Sequence, residues 1–293
     1  MRVYARSRAV GLALALVATT ALIGLRLAAA PTSTGYRHAM DAAPGGDLYE
    51  ADPGWGLVLT TVTGHSQVRG VLPAAQPLAL AADGSRLVMG TDRGLYQSSD
   101  GGVHWSAAPI PQGRYQAVWA GGSLALAAAW NGRLWSTRDA GLTWEAFPTP
   151  PGEDEFQAVT VGDGVIYAAT LQHVIRSFDA GRVWEVTALP ARVTALEPQA
   201  QQVLAATWDG ALYTIDGAGS VQRLPNLPPG VWALGNGTAA TTDGLAGLHG
   251  TPLDHREVTA LVSAGNALYA GVARGPVYGS PDGGHSWVQV LDG

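Results

Sequence analysis

The sequence predicts an all-β fold made of repeated units. Short apolar runs separated by Gly, Asp and Asn turns recur along the chain without helical periodicity. A turn-like segment, first complete as "SSDGGVHW", ends at Trp105. It recurs twice at blade-like spacing: the next Trp follows after 39 residues and the one after that follows 40 residues later. Four strand signals in a period of this length are typical of one blade of a β-propeller. We therefore predict a single propeller with four-stranded blades.

Each unit carries its strand signals in the same order. The first run includes "QAVWAGG", "QAVTVGDG" and "VTALVSAG". The second and third runs follow as a hairpin, as in "ALAAAWNGRLWS", "LAATWDGALYT" and "LYAGVARGPVYG". The turn-like segment then leads into a fourth strand. We call this segment the box; the four complete boxes occupy 98–105, 137–144, 177–184 and 280–287.

The residue types of the box suit a tight turn between the third and fourth strands. Its Gly adopts φ > 0 without steric cost, its Asp accepts hydrogen bonds from turn N–H groups, and its Trp buries a large ring between blades. Four carboxylates spread over four blades cannot converge on one substrate, so we predict structural roles. The box residues are Asp100, Trp105, Asp139, Trp144, Asp179, Trp184, Asp282 and Trp287.

The pattern S-x-D-x-G-x-x-W resembles the Asp-box, also called the BNR repeat. This repeat occurs in sialidases, sortilin-type receptors, xyloglucan-cleaving hydrolases and photosystem II assembly factors. The resemblance covers roughly Gly46 to Gly293 and implies a propeller of the WD40/YVTN/BNR-like kind. Because one fold hosts many functions, the resemblance implies a fold and no particular activity.

The number of units favours six blades. They begin near Gln67, Tyr115, Phe156, Arg192, Gly230 and Glu257. The segment "GDLYEADPGWGLVLTTV" precedes them and reads as two further strands. If these strands pair with the last unit, they close a six-bladed ring and leave no exposed sheet edge. If the segment is a blade in its own right, the count is seven.

The N-terminus predicts export. A basic lead is followed by an uncharged apolar run from Ala9 to Leu25. Residues 1–30 are a signal peptide or an N-terminal membrane anchor. Ala28 and Ala30 form a cleavage-like pattern, but Pro31 hinders cleavage and favours an anchor with the N-terminus inside. Residues 31–45 are predicted to be a linker and 46–293 the propeller, which lies outside the cytoplasm in either case, anchored or secreted.

Composition excludes several function classes. All 17 basic residues are Arg, and the net charge is −6. Because the body beyond residue 45 is acidic, we predict no nucleic-acid partner. The absence of Cys excludes disulfides, thiolate metal sites and a cysteine nucleophile. The seven His show no metal-ligand spacing, and there is no nucleophile elbow or phosphate loop, so we predict no metal and no cofactor.

A ligand site is predicted on the face opposite the boxes. That face carries the turns between second and third strands and the crossings between blades. Trp130 and Trp208 fall at equivalent places in such turns, where a Trp stacks on a sugar, grips a peptide or covers the rim of the channel. The remaining candidates on this face are Arg93, Arg114, Tyr115, Glu153, Arg192, Arg256 and Arg274.

Two functions follow from these observations. The first is a non-catalytic extracytoplasmic binding or assembly scaffold whose loops meet a protein or glycan partner. The alternative is a glycoside hydrolase resembling sialidases, which need three arginines on a substrate carboxylate, a Tyr–Glu nucleophile pair and an Asp acid. The Arg-Ile-Pro motif usual in sialidases is missing here, and no catalytic set is identifiable. The sequence therefore favours the scaffold.

Overall fold

The computed structural model describes residues 39–53, 56–61, 65–148 and 155–292. Twenty-seven strands form seven antiparallel sheets, which we number as blades 1 to 7 in chain order. Blade 1 comprises β1 (Ala39–Ala42), β2 (Leu48–Asp52), β3 (Gly56–Thr60) and β4 (Ser66–Gly70). Blade 2 comprises β5 (Pro77–Asp83), β6 (Arg86–Thr91), β7 (Leu95–Ser98) and β8 (Ser106–Ala107). Blade 3 comprises β9 (Tyr115–Gly121), β10 (Leu124–Ala129), β11 (Leu134–Thr137) and β12 (Glu145–Ala146).

The remaining blades follow the same plan. Blade 4 comprises β13 (Ala158–Gly162), β14 (Val165–Ala169), β15 (His173–Ser177) and β16 (Glu185–Ala188). Blade 5 comprises β17 (Val193–Gln199), β18 (Gln202–Thr207), β19 (Leu212–Asp216) and β20 (Val221–Leu224). Blade 6 has three strands, β21 (Val231–Gly235), β22 (Thr238–Thr241) and β23 (Gly244–Leu245). Blade 7 comprises β24 (Val258–Ala264), β25 (Ala267–Val272), β26 (Val277–Ser280) and β27 (Val288–Leu291).

The blades form a closed ring. The first strand of each blade packs on the first strands of its two neighbours, and β1 packs on β24. Every sheet is built from strands that are consecutive in sequence. The ring therefore closes by packing of blade 1 on blade 7 and not by a sheet shared between the two chain ends.

The prediction of six blades is wrong, because the described chain forms seven. The segment expected to complete the last unit supplies β2 and β3 of a separate first blade. Its innermost strand, β1, lies within residues 31–45, the stretch predicted to be a linker. The strand is short and contains Asp41, so it does not show the apolar pattern of a buried strand.

The apolar core lies at the seams between blades. One cluster joins Leu57 of blade 1 to Leu87 of blade 2, and another joins Leu134 of blade 3 to Phe156 and Ile175 at blade 4. Burial of apolar area at these seams provides the main stabilisation of the ring. Each blade is consequently held by its two neighbours.

Each complete box forms the same hydrogen-bonded turn. In the first box, Ser98 Oγ donates to Asp100 Oδ1 at 2.8 Å and accepts from the N–H of Gly102 at 2.9 Å. The carboxylate also accepts from the N–H of His104 at 3.0 Å. Equivalent bonds occur in the other three boxes, at Thr137 and Asp139, at Ser177 and Asp179, and at Ser280 and Asp282.

These bonds keep the box carboxylates ionised. The hydroxyl and N–H of Thr143 lower the pKa of Asp139 to about 2, and those of Ser286 do the same for Asp282. The N–H of His104 holds the pKa of Asp100 well below its ordinary value. Each of these box carboxylates therefore accepts hydrogen bonds from N–H and O–H donors of its own loop.

The box Trp residues lie at the seams. Trp144 is buried among residues of blades 2 and 3, and its indole N–H donates to Gln97 Oε1 of blade 2 at 3.3 Å. Trp184 packs edge-on against Phe147, with ring centroids 5.8 Å apart. Trp105 and Trp287 belong to the clusters between blades 1 and 2 and between blades 6 and 7. Each box thus contacts the blade that precedes its own.

The ring has two distinct faces. On one, which we call the box face, the box loops meet the turns between first and second strands: the N–H of Gly101 donates to the carbonyl of Ser85 at 2.8 Å, and that of Gly283 to Asn266 at 2.9 Å. The opposite face, which we call the crossing face, carries the turns between second and third strands and the connections between blades.

Within the described ranges, no helix has the length and apolar character needed to cross a membrane. Residues 1–30, where the anchor is predicted, lie outside those ranges.

Candidate functional site

A repeated hydrogen bond organises the crossing face. In each case the first residue of the turn between the second and third strands donates its N–H to the carbonyl just before the first strand of the same blade. The bonds run from Trp130 to Arg114 at 2.8 Å, from Trp208 to Arg192 at 2.9 Å, and from Ala273 to Glu257 at 2.8 Å. Asp92 bonds to Gln76 and Thr242 to Gly230 in the same way, each at 3.1 Å. The turns and crossings are therefore fixed to each other.

On blade 3 the structure brings three of the predicted site residues together. Trp130 is 40% exposed, and the guanidinium carbon of Arg114 lies 4.7 Å from its ring centroid. The buried Tyr115 begins the adjacent strand and donates its hydroxyl to the carbonyl of Pro111 at 2.7 Å. Burial raises the pKa of Tyr115 to about 12, so the phenol stays neutral. These residues line a cavity of about 300 Å³ together with Arg133 and Trp135.

On blade 5, Trp208 is held by a second aromatic ring. It is 39% exposed and packs edge-on against Trp232 of blade 6, with centroids 4.8 Å apart and planes at 79°. The next residue, Asp209, accepts a 2.6 Å hydrogen bond from the hydroxyl of Thr207. This bond lowers the pKa of Asp209, so a carboxylate lies beside the exposed indole.

Leu171 occupies the equivalent turn position on blade 4 and was not predicted from the sequence. It is 38% exposed, and its carbonyl accepts a 3.0 Å bond from the N–H of Val193. Three successive blades therefore present an apolar side chain at the same turn position. We call Trp130, Leu171 and Trp208 the apolar arc.

The other predicted site residues lie apart from the arc or from one another. Arg93 donates to the carbonyl of Ala74 at 3.2 Å on blade 2, and Arg192 donates to Gln157 Oε1 at 2.6 Å beside blade 4. Arg256 donates to the hydroxyl of Tyr278 at 3.2 Å on blade 7. Arg274 occupies a turn of blade 7 with φ of 52°. Glu153 lies outside the described residues.

A second cavity lies on the box face at the seam of blades 4 and 5. It measures about 690 Å³ and was not anticipated from the sequence. Its lining includes Asp163, Tyr167, Phe178, Gln201 and Asp216. Asp163 accepts from the N–H of Gln201 at 3.1 Å, and Asp216 accepts from two N–H groups of its own turn. The polar groups that line it thus also hold the adjacent turns.

No family model and no curated protein matches the chain. Solved structures with a similar fold include the computationally designed protein Ika8, with a TM-score of 0.64 and 16% identity over 89% of both chains. YCF48 bound to D1 peptide aligns with a TM-score of 0.54 and 15% identity over 89% of this chain and 83% of that one. The extracellular domain of the hybrid two-component system BT4673 from B. thetaiotaomicron aligns with a TM-score of 0.66 and 16% identity. That match covers 86% of this chain and 39% of the BT4673 chain.

At these identities the likeness is one of fold. Together with the seven sheets, it defines the protein as a single seven-bladed β-propeller. Proteins of this fold serve many functions, so a function has to be argued from the crossing face itself.

Proposed function

We propose that this protein is a non-catalytic, extracytoplasmic binding scaffold of the Asp-box type. Residues 1–30 hold it in a membrane, the boxes stabilise the ring, and the crossing face binds a protein partner. The repeated box pattern and the export-like N-terminus support this proposal. YCF48, which has a similar fold, binds a D1 peptide, so a propeller of this size is suited to peptide recognition.

The apolar arc is the observation that carries the proposal. Trp130, Leu171 and Trp208 are each between 38% and 40% exposed and occupy one turn position on three neighbouring blades. Arg114 and Trp232 support the two indoles, so little side-chain entropy is lost when a partner covers them. Rigid Trp anchors beside arginines are typical of the energetic centre of protein interfaces. An arc across three blades also extends beyond the ring of one sugar, which favours a polypeptide.

The arginines do not favour the alternative, a sialidase-like hydrolase. Such an enzyme needs three arginines on one carboxylate, and the lining of the 300 Å³ cavity contains Arg114 and Arg133. Arg192 and Arg256 instead hold Gln157 and Tyr278 on other blades. We therefore assign the exposed residues of this face to binding.

Site-specific photo-crosslinking tests the proposal. A photoreactive side chain at Asn131, next to Trp130, is expected to capture one identifiable protein in native membranes. The same group at Leu142, which is 80% exposed on the box face, is expected not to capture it. Trp130→Ala with Trp208→Ala should reduce capture at Asn131 at least about tenfold, the effect of losing 1.4 kcal/mol of binding.

The matched control is Leu142→Ala with Val183→Ala, which removes two exposed apolar side chains from the box face. It should leave capture unchanged, and the unfolding temperature of both double variants should stay close to that of the parent. Equal capture by the parent and the folded Trp variant would remove the arc from the proposal. Hydrolysis of chromogenic sialosides by the purified chain would replace the scaffold with the enzyme.

A further inference from the structure

The chain enters the propeller on the crossing face. Each first strand runs from the crossing face to the box face, because the turn that follows it lies among the boxes. In blade 1, Ala39 is paired with Ala51, near the turn that joins β2 to β3, while Ala42 is paired with Leu48 at the opposite end. The described chain therefore begins, at Ala39, on the same face that carries the apolar arc. Because β1 packs on β5 and β24, Ala39 lies at the inner end of the blades, beside the axis of the ring.

The segment between the predicted anchor and β1 is short. Eight residues, 31–38, lie between residue 30 and Ala39, and the nine Cα steps that join these two residues span at most about 32 Å. To bring the box face toward the membrane, the chain would have to pass around a blade. The width of four strands contributes about 14 Å to that path, and the height of a six-residue strand such as β6 contributes about 20 Å. Chains also do not thread closed rings, so eight residues do not suffice.

We propose, on the basis of the anchor in the function proposed above, that the crossing face is directed toward the membrane and that its partner is a membrane-embedded protein. The apolar arc then lies within reach of segments that emerge from the bilayer. Soluble proteins, in contrast, meet mainly the box face. The class of partner is thus defined by its location in the membrane. The segment that binds the propeller is expected to carry apolar side chains that cover Trp130, Leu171 and Trp208.

The packing of the arc favours a protein over the lipid surface as the occupant. The crossing face carries charges of both signs, because Arg93, Arg114 and Arg192 lie on the same side as the carboxylates of Asp92, Asp209 and Asp243. Charge alone therefore does not select a lipid surface. Moreover, both indoles are packed against neighbours, which limits how far they can insert between lipids. These features suit a shaped polypeptide surface and oppose insertion.

Energy transfer to labelled lipids tests the orientation. The chain has no Cys, so one donor dye can be attached to Asn131→Cys on the crossing face or to Leu142→Cys on the box face of the same blade. The full-length chain is reconstituted into phosphatidylcholine–phosphatidylglycerol vesicles that contain an acceptor dye on the headgroups. We expect clearly greater transfer from position 131 than from position 142. A flexible insertion of about 20 Gly and Ser residues within 31–38 should remove most of this difference.

The possible outcomes separate this inference from the proposed function. Equal or greater transfer from position 142, with the chain retained on the vesicles after a high-salt wash, would overturn the orientation but leave the arc as a binding site. Release of the chain by high salt would overturn the anchor and the orientation together. The partner class is tested at Asn131: the cross-linked protein should remain in the membrane pellet after alkaline carbonate extraction. Capture of a carbonate-extractable protein, or of lipid alone, would overturn the assignment to a membrane-embedded partner.

Discussion

The guanidinium of Arg176, in blade 4, donates a hydrogen bond to the main-chain carbonyl of Asp216 in blade 5. Arg176 is buried, and its Nε and Nη2 both donate to Oε2 of Glu185, at 2.9 Å and 2.6 Å. Blade 5 has no box Trp, because its turn reads "TIDGAGS". At the seams of the four complete boxes, the Gly two residues after the box Asp abuts a side chain of the preceding blade: Leu57, Gln97, Phe147 and Leu248. In blade 5, Gly219 abuts Arg176, so an arginine holds the seam where the aromatic ring is lost.

The first prediction is that Arg176→Met destabilises the ring by about 2–3 kcal/mol. Met retains much of the volume, but the hydrogen bonds of a charged group across the seam are lost, and such bonds contribute about 1.5–3 kcal/mol. Arg138→Met is the matched control, because Arg138 also bonds across a seam, to Ala180 at 2.6 Å, but is exposed. It should cost less than about 1 kcal/mol. Urea unfolding measures both changes, and equal small losses would mean that Arg176 does not hold the seam.

The second prediction concerns the box Trp. Trp144→Ala should lower the free energy of unfolding by about 3–5 kcal/mol, the usual cost of emptying a buried aromatic site. Trp144 is buried between blades 2 and 3 and donates to Gln97. Trp130→Ala, in the same blade, removes an exposed ring stacked on Arg114 and should cost about 1 kcal/mol. If chemical denaturation gave similar costs for the two, the box Trp would not be a seam residue.

The box pattern made much of this fold predictable from the sequence, whereas the blade count and the arc were harder to obtain. Three boxes at a spacing of about 40 residues, with a fourth further along the chain, predict four-stranded blades, as found in blades 2, 3, 4 and 7. Blades 1 and 6 lack a box, and the β1 sequence "AMDA" has no apolar alternation, so the sequence alone places the strands of blade 1 in a linker and a closing pair. No local pattern marks a short strand whose stability comes from its neighbours.

The arc was predicted in part. The sequence marks Trp130 and Trp208 as equivalent because both stand beside a turn residue, Asn or Asp. It does not mark Leu171, because "TLQHV" lacks the Gly of the other turns and a lone Leu carries no chemical signal. The signal that does identify Leu171 is its place directly after "AAT" in blade 4, which corresponds to Trp130 in the second-strand pattern of blade 3. The replacement of the box Trp by Arg176 at the seam of blades 4 and 5 is not predictable from the sequence. It depends on which side chain of the neighbouring blade reaches the turn.

The third prediction concerns the Gly two residues after the box Asp. Gly181 has φ of 90°, and a Cβ there would overlap the ring of Phe147 from blade 3. Gly181→Ala therefore combines a left-handed backbone with a clash and should cost more than about 2 kcal/mol. Gly164, with φ of 79°, is the matched control, because a Cβ added there would meet no other atom within 4 Å. Gly164→Ala should show only the backbone cost of about 1–2 kcal/mol. A smaller loss at Gly181 than at Gly164 in thermal unfolding would contradict the seam contact.

The last prediction concerns Asp41, in the innermost strand of blade 1. Its carboxylate accepts from the N–H of Ala42 at 2.9 Å and from that of Ala82 in blade 2 at 2.8 Å. Burial outweighs these two bonds and raises the pKa of Asp41 from 3.8 to about 6. The folded state therefore holds a proton that the unfolded state releases between about pH 4 and pH 6. Stability from this group is fully present below the unfolded pKa and is lost as the pH rises through the folded pKa.

A pKa change of this size corresponds to about 3 kcal/mol between pH 4 and pH 7. Asp41→Asn cannot ionise, so its free energy of unfolding should lack this decline, and the curves of parent and variant should diverge as the pH rises from 4 to 6. The box carboxylates have lowered pKa values, and their contribution is lost only as the pH falls below their ordinary range. Their titration is the same in parent and variant, so it cancels when the two curves are compared. Urea unfolding at intervals of half a pH unit measures the difference, and parallel curves over pH 4–6 would show that Asp41 ionises in the fold as readily as in water.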